Sequence, residues 1–487
     1  MGDLGTSPIG PEVLLTLQRG SGRSLHAQLE DGLRAAIQTG ALPGGFTLPS
    51  TRTLAADLGV SRRLVLEAYE QLVAEGYLST VPRGRTVVRT IELSTTCDRP
   101  APGESPPLYD MYPGLPDLSY FPRADWRRAI IRVLRGTPND ALGYPDPAGA
   151  PALRAALAAY LRRVRSVVAS PERIVICSGF RQALALIVGV LRTKTAPVIG
   201  LESPGLFDGA PIIEAAGGRW RALEVDERGV STDTLTDQHL DALLVMPAHQ
   251  FPTGVPLAPE RRAALASWAD DRHLVIEDDY DAEFRYDRPP LSAFQGLAPE
   301  HTVYAGTVSK TLAPAIRLGW VVLPERLVDP VVNAKRLHDS GTALLPQLAF
   351  AEMLTRGDYD RHLRSARRHY RQRRDALLHH IRRTLPDLRI TGAEAGLHLI
   401  AQLPADIDPQ TLSIAAHQKR VGITTIDSYQ LRPNDTDPAI VLGYANLPDA
   451  AAGPAIRLLA TAIAECRSSR PRPAGSGRAR QRRDRLR

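Results

Sequence analysis

Six short apolar runs recur between residues 173 and 324: "RIVICSG" (173–179), "PVIGLE" (197–202), "DALLVMP" (241–247), "HLVIEDD" (273–279), "TVYAGT" (302–307) and "GWVVLP" (319–324). Helix-like stretches such as "FRQALALIVGVLR" (180–192) separate them. Strands that alternate with helices predict βαβ units and an α/β domain with a mostly parallel sheet. Polar residues and glycines gather at the ends of these runs, where open α/β sheets place their ligand sites. From about residue 360 the chain turns helical and arginine-rich. It is then mixed ("GLHLIAQLP", 396–404; "AIVLGYANL", 439–447), which predicts a smaller α+β subdomain.

The strand ends carry the chemistry. Of 60 Lys and Arg residues only four are lysines, Lys194, Lys310, Lys335 and Lys419. Lys310 follows the run "TVYAGT". A desolvated lysine with a lowered pKa forms Schiff bases with aldehydes, whereas arginine stays protonated and does not. Asp278, at the end of "HLVIEDD", suits a protonated heterocyclic nitrogen, and Tyr280 suits a neighbouring phenolate. The turn in "CSGFRQAL" (177–184) opens a helix, a natural phosphate seat, and Arg317 offers a second phosphate anchor. Aldehyde, pyridinium, phenolate and phosphate together describe pyridoxal 5'-phosphate (PLP).

A different pattern fills the first ninety residues. An amphipathic helix is expected over Ser24 to Thr39 and a short one from Ser50 to about Asp57, ended by Gly59. Ser61 then caps a second helix, along which Leu64, Val65, Ala68, Tyr69, Leu72 and Val73 form one apolar stripe. "YLSTVPRGRTVV" (77–88) alternates around Pro82–Gly84 as a two-stranded wing would. Helix, turn, helix and wing form the layout that places a helix in the major groove of duplex DNA. Ser61, Arg62 and Arg63 begin that helix, Arg52 lies on the preceding one, and Arg83 and Arg85 flank the wing tip. All are candidate DNA contacts.

The net charge of +7 does not by itself argue for nucleic acid, because nine arginines and one aspartate lie between Arg467 and Arg487. The remainder is balanced, with 51 basic against 52 acidic residues. The tail is Pro, Gly, Ser and Arg without apolar periodicity and is expected to be disordered. Cys97, Cys177 and Cys466 are too far apart for a metal or redox pair, so no metal is expected and a reducing cytoplasm is. No apolar run reaches 18 residues, so no membrane span is expected.

Two family resemblances cover most of the chain. L-P-S-x-R-x-L-A-x-x-L-G-V-S-R followed by A-Y-x-x-L-x-x-E-G-Y-L resembles the winged helix-turn-helix head of GntR-type bacterial regulators, although Arg85 replaces the usual second wing glycine. S-K-T-x-x-P-x-x-R-x-G-W, with E-D-D-Y-D-x-E-F-R-Y about thirty residues before it, resembles the type I aminotransferase fold. That second resemblance runs from about Asp110 to Ala464. It implies Lys310 as the Schiff-base lysine, Asp278 as the pyridine partner and Tyr280 as the partner of the phenolate oxygen. It implies a phosphate seat of Ser178, Gly179, Phe180 and Arg317. Tyr144, in "YPDPAGAPALR", would reach the phosphate of the partner subunit, and Phe207, in "ESPGLFDG", would stack on the ring. Two departures stand out. In "HQFPTG" (249–254) Phe251 replaces a cofactor-binding asparagine, leaving His249 or Gln250 to substitute. Val441 stands where aminotransferases place the arginine that clamps a substrate carboxylate, with Arg432 as the compensating candidate.

Head and body together resemble the MocR (GabR-like) subfamily of regulators. The domains expected are a winged helix-turn-helix over 18–89, a linker over 90–108, an aminotransferase-like PLP-binding body over 109–467 and a basic tail over 468–487. The resemblance implies a cytoplasmic homodimer that binds operator DNA with repeated half-sites and senses PLP or an amine. It implies at most vestigial aminotransferase activity. The alternative is a PLP-dependent aminotransferase with an added DNA-binding domain.

Overall fold

The computed structural model describes residues 3–468 apart from 11–12, 21, 83–84, 91–105, 193–194, 207, 234, 236–237, 393 and 433–436. Most of the expected linker, nearly all of the tail, Arg83 and Phe207 therefore lie outside the described residues. The chain divides into two compact units, Met1–Ser105 and Pro106–Arg487.

In the first unit, serine caps set the helix starts. Ser24, Ser50 and Ser61 each accept a hydrogen bond from the backbone N–H three residues on, at 3.2, 3.1 and 3.2 Å. The helices run Leu25–Gln38, Thr51–Leu58 and Arg62–Ala74. Gly59, at φ +63°, ends the second in the left-handed region that glycine enters without steric cost. Strands Leu78–Val81 and Arg85–Val88 pair antiparallel as the wing. Leu29, Leu33, Leu54, Leu58, Val65, Tyr69, Leu72, Leu78 and Val88 close one core. Each such side chain contributes about 1.5–3 kcal/mol by leaving water. Val73, expected on the apolar stripe, is 36% exposed because it falls at the stripe's edge. A hairpin, Asp3–Gly10 paired with Val13–Gln18, precedes the first helix.

The second unit is built on an eight-stranded sheet. Its order is Ile174–Cys177, Gly319–Val322, Thr302–Thr307, Leu274–Asp279, Ala242–Val245, Val198–Ser203, Arg219–Asp226 and Gly229–Val230. The five strands from Thr302–Thr307 to Arg219–Asp226 are parallel to one another. Gly319–Val322 is antiparallel on both sides. It follows Thr302–Thr307 after too few residues for a crossover helix, so the chain can only turn back.

Alternation decides what covers the sheet. Ile174, Ile176, Tyr304, Trp320 and Val322 join one core, while Val175, Cys177, Val303, Ala305 and Val321 join another on the opposite face. Side chains point alternately up and down a strand, so a sheet packed on both faces needs unbroken apolar runs. A four-stranded antiparallel sheet, Arg389–Thr391, His398–Gln402, Ala439–Gly443 and Thr424–Thr425, forms the smaller subdomain. The helices Asp358–Thr384 and Asp449–Ser468 bury Leu377, Ile381, Ile456 and Leu459 against Leu399, Ala401, Ile440 and Leu442.

Candidate functional site

Strand direction gathers the site. The parallel strands end on one edge of the sheet, and the antiparallel Gly319–Val322 begins there. Asp278, Lys310, Gly179 and Arg317 therefore meet at one cleft of about 600 Å³. The cleft is also lined by Gly114, Leu115, Phe180, Leu206, Phe251, Tyr280, Asp281, Thr307, Ser309, Leu397, His398 and Tyr429.

Pleating separates three consecutive acids. Glu277 and Asp279 point away from the cleft. Glu277 accepts the Phe294 and Gln295 N–H groups at 2.8 Å each. Asp279 accepts from Arg165 and Tyr304 at 2.7 Å each. Asp278 faces the cleft, 7% exposed, and accepts no side-chain hydrogen bond among the described residues. Burial, with Asp279 adding, pushes its carboxyl up to about 8, and Lys310 opposes the rise. Lys310 Nζ donates to the Gly114 carbonyl at 2.5 Å. Burial lowers its pKa, while Asp281 and Asp278 resist. A buried carboxylate short of a cation beside a desolvated amine fits a ligand that brings both a ring cation and an aldehyde.

The anion end is equally particular. Helix Phe180–Leu191 starts at Gly179, φ +112°, without a side-chain cap. A Cβ on Gly179 would lie 3.6 Å from Arg317 Nη1, so the guanidinium lies close against that turn. Arg317 itself adopts φ +54° and forms no ion pair among the described residues. Free N–H groups at a helix start beside an unpaired arginine suit phosphate. Ser178 does not line the cleft, and its N–H is donated to Gln182 Oε1 at 2.8 Å. Thr307 and Ser309, whose hydroxyls are 2.9 Å apart, stand at this end instead.

Other expected residues fall elsewhere. Tyr144 is 95% exposed and does not reach the cleft of its own chain. His249 is buried behind Tyr280 rather than lining the cleft. Gln250 spends its amide bridging two segments, donating to the Pro204 and Phe251 carbonyls and to Glu202 and accepting from Thr253. Val441 is fully buried in an apolar cluster with Ile400, Ile426 and Tyr429, against which Phe251 packs, and Arg432 is exposed. Of the cations lining the cleft, Arg181 is paired with Asp208, and burial pushes His398 down to about 4. Sequence reasoning missed Gly114, Asp281, Thr307, Ser309 and His398. The last two had signals, a serine directly before Lys310 and a lone histidine in an apolar strand.

Two buried acids, Asp278 of the cleft and Glu202, give a pH prediction. Burial raises Asp278 and Glu202 to about 8 each, far above the unfolded values of about 4. Between those limits the unfolded chain has released protons that the folded chain still holds, so stability falls as pH rises through the window. The expected slope is about 1.4 kcal/mol per pH unit for each such group. Buried His398, held at about 4, opposes this trend below about pH 6.5, so Tm of the cofactor-free protein should be higher at pH 6.5 than at pH 8; a flat profile over that interval would refute the raised values of these acids.

On the first unit, Arg52, Arg62, Arg63 and Arg85 are all exposed. Arg62 Nε donates to Thr51 Oγ1 at 3.3 Å, and Arg63 pairs with Glu67 one turn on at 2.7 Å. The Ser61 hydroxyl is committed to its cap.

Comparisons with known proteins accord with both units. Residues 115–438 match the aminotransferase class I and II family and residues 25–88 the gntR family of bacterial regulatory proteins. The chain is 31% identical to the probable rhizopine catabolism regulatory protein MocR of Rhizobium meliloti, over 89% of this chain and 92% of that one. It is 33% identical to the HTH-type pyridoxine biosynthesis transcriptional regulator PdxR of Corynebacterium glutamicum, over 86% and 92%. Among solved structures, it is similar to the α-aminoadipate aminotransferase LysN of Thermus thermophilus, complexed with N-(5'-phosphopyridoxyl)-L-leucine. That match has a TM-score of 0.66 and 26% identity, over 74% of this chain and 92% of the other.

Proposed function

This chain belongs to the aminotransferase class I and II family and carries a gntR-family regulatory head, and from that premise we propose that it is a transcriptional regulator that holds PLP in its body and responds to PLP or an amine. The observation that carries this reading is that Lys310 and Asp278 line one cleft that, among the described residues, keeps no free cation for a substrate carboxylate beyond the phosphate anchor. PLP, when bound, supplies an aldehyde that exchanges between amines. Lys310 would hold it covalently, Asp278 would pair with the ring nitrogen, and Tyr280 would donate to the phenolate oxygen. Arg317, the Gly179 and Phe180 N–H groups and the Thr307 and Ser309 hydroxyls would hold the phosphate. Tyr144 completes the phosphate seat of a second copy, and the protein acts in the cytoplasm as a homodimer.

An amino-acid substrate needs its carboxylate fixed as well as its amine, because turnover depends on holding the reacting bonds in line. Arg181 is engaged by Asp208, and Val441 lies in apolar packing. Exchange at Lys310 without efficient turnover suits a sensor. Arg62 and Arg63 read base edges, with Arg52 and the wing arginines Arg83 and Arg85 on phosphates. Borohydride reduction of the PLP-loaded chain should fix the cofactor on the Lys310 peptide. Label on Lys194, Lys335 or Lys419 instead would contradict the site, and rapid multiple turnover with an amino donor and a keto acid would favour an enzyme.

A further inference from the structure

We infer that His249, backed by Asp281, is a positioning residue that fixes Tyr280 with its phenol proton presented to the cleft. The inference rests on the reading that PLP is held at Lys310. His249 is 4% exposed and Asp281 1%. His249 Nδ1 lies 3.0 and 3.1 Å from the two Asp281 carboxylate oxygens and 3.0 Å from the Tyr280 hydroxyl oxygen. A carboxylate only accepts, so it keeps a proton on Nδ1. A protonated Nδ1 has no lone pair for the phenol proton, so that proton is directed away from His249. It is left for the cleft side, where Asp281 and any acceptor bound in the cleft face the Tyr280 hydroxyl.

The arrangement is locked from behind. Gly396 packs on His249 at φ +72°, where a Cβ would come within 2.1 Å of His249 Cε1 and 2.8 Å of an Asp281 oxygen. The Gly396 carbonyl is held in turn by the Tyr286 and Tyr444 hydroxyls. Neighbouring groups among the described residues are committed elsewhere: Gln250 is spent on Glu202 and on the Pro204 and Phe251 carbonyls, Phe251 has no side-chain donor, and His398 Nε2 donates to the Pro252 carbonyl at 2.9 Å. Within the site, Asp278, Asp281, Glu202 and His249 face Tyr280, and Lys310 and His398 line the cleft beside it. All except His249 are retained in the His249 variants below, so their charges cancel in the comparison.

The test is a pH titration of the visible absorption band of the full-length, PLP-loaded protein. A proton donated to the cofactor's phenolate oxygen stabilises negative charge there and favours loss of the neighbouring proton. Losing that donation should raise the midpoint by about one pH unit, a roughly tenfold change and the scale of one charge-assisted hydrogen bond. His249→Phe should shift the midpoint upward, and Tyr280→Phe by at least as much. The double variant should shift no further than Tyr280→Phe alone, because both act through one bond. His249→Asn, whose amide nitrogen takes the place of Nδ1, should restore the midpoint to within a few tenths of a unit. If His249→Phe does not fold, His249→Ala carries the same expectation. No shift, additive shifts, or failure of His249→Asn to rescue would overturn the inference. A wild-type protein with no such band would instead remove the PLP reading, and this inference with it.

Discussion

Lys310→Ala is expected to bind PLP without attaching it and to leave operator affinity the same with and without the cofactor. Lys310 is the amine at the cleft's centre, its Nζ on the Gly114 carbonyl and its charge opposing the rise of Asp278. Arg317, Asp278 and the helix start remain in the variant, so PLP is still held, but as the free aldehyde. Its absorption should be that of unattached cofactor and should not respond when amines are added, beyond what free PLP shows. Effects of a ligand on a second site typically amount to about 1–3 kcal/mol, or about 5–150-fold in affinity. That whole factor should collapse to one in Lys310→Ala. Fluorescence anisotropy on operator DNA, with and without PLP, measures it. A response of unchanged size would mean that occupancy alone, not the covalent bond, carries the signal.

Replacing Arg62 and Arg63 together by alanine is expected to have the largest effect on DNA binding, about 30-fold or more. The estimate follows from about 1–3 kcal/mol for each arginine that contacts a base edge. Both side chains are exposed at the first turn of Arg62–Ala74, and neither contributes to the core of the first unit. The loss should therefore appear with the unfolding midpoint unchanged. Arg85→Ala, if it touches phosphate only, should weaken all sequences alike and reduce the salt slope by about one. The check is anisotropy on operator and scrambled duplexes at several salt concentrations. Unchanged operator affinity in the double variant would show that another face of the head meets DNA.

The elements most legible in the sequence were those fixed by short-range rules. Ser61 capped the helix it announced, the helices expected from Ser24 and Ser50 formed with those serines as caps, and the six apolar runs became strands of one sheet. Lys310, Asp278 and Arg317 stood out because strand ends collect at one edge. What was hidden depended on distant partners. That Asp279, turned away by the pleat, would be held by Arg165, 114 residues away in sequence, had no local signal. Gly114 lies 196 residues before Lys310, and no local pattern pairs them. His249 was recognised as a candidate, but its place behind Tyr280 depends on Gly396, a glycine whose turn only the folded subdomain brings there. Tyr144 points out of its own chain, so a single copy cannot display its role.

The central claim is that PLP at Lys310 and DNA at the head act on one equilibrium. The most direct measurement is wild-type operator affinity at zero and saturating PLP, paired with PLP affinity at zero and saturating operator. The two ratios must be equal if the sites are linked. We expect a common factor of about 5–150-fold, abolished by Lys310→Ala. A factor of one in wild type, with PLP bound and Lys310 labelled, would contradict the claim.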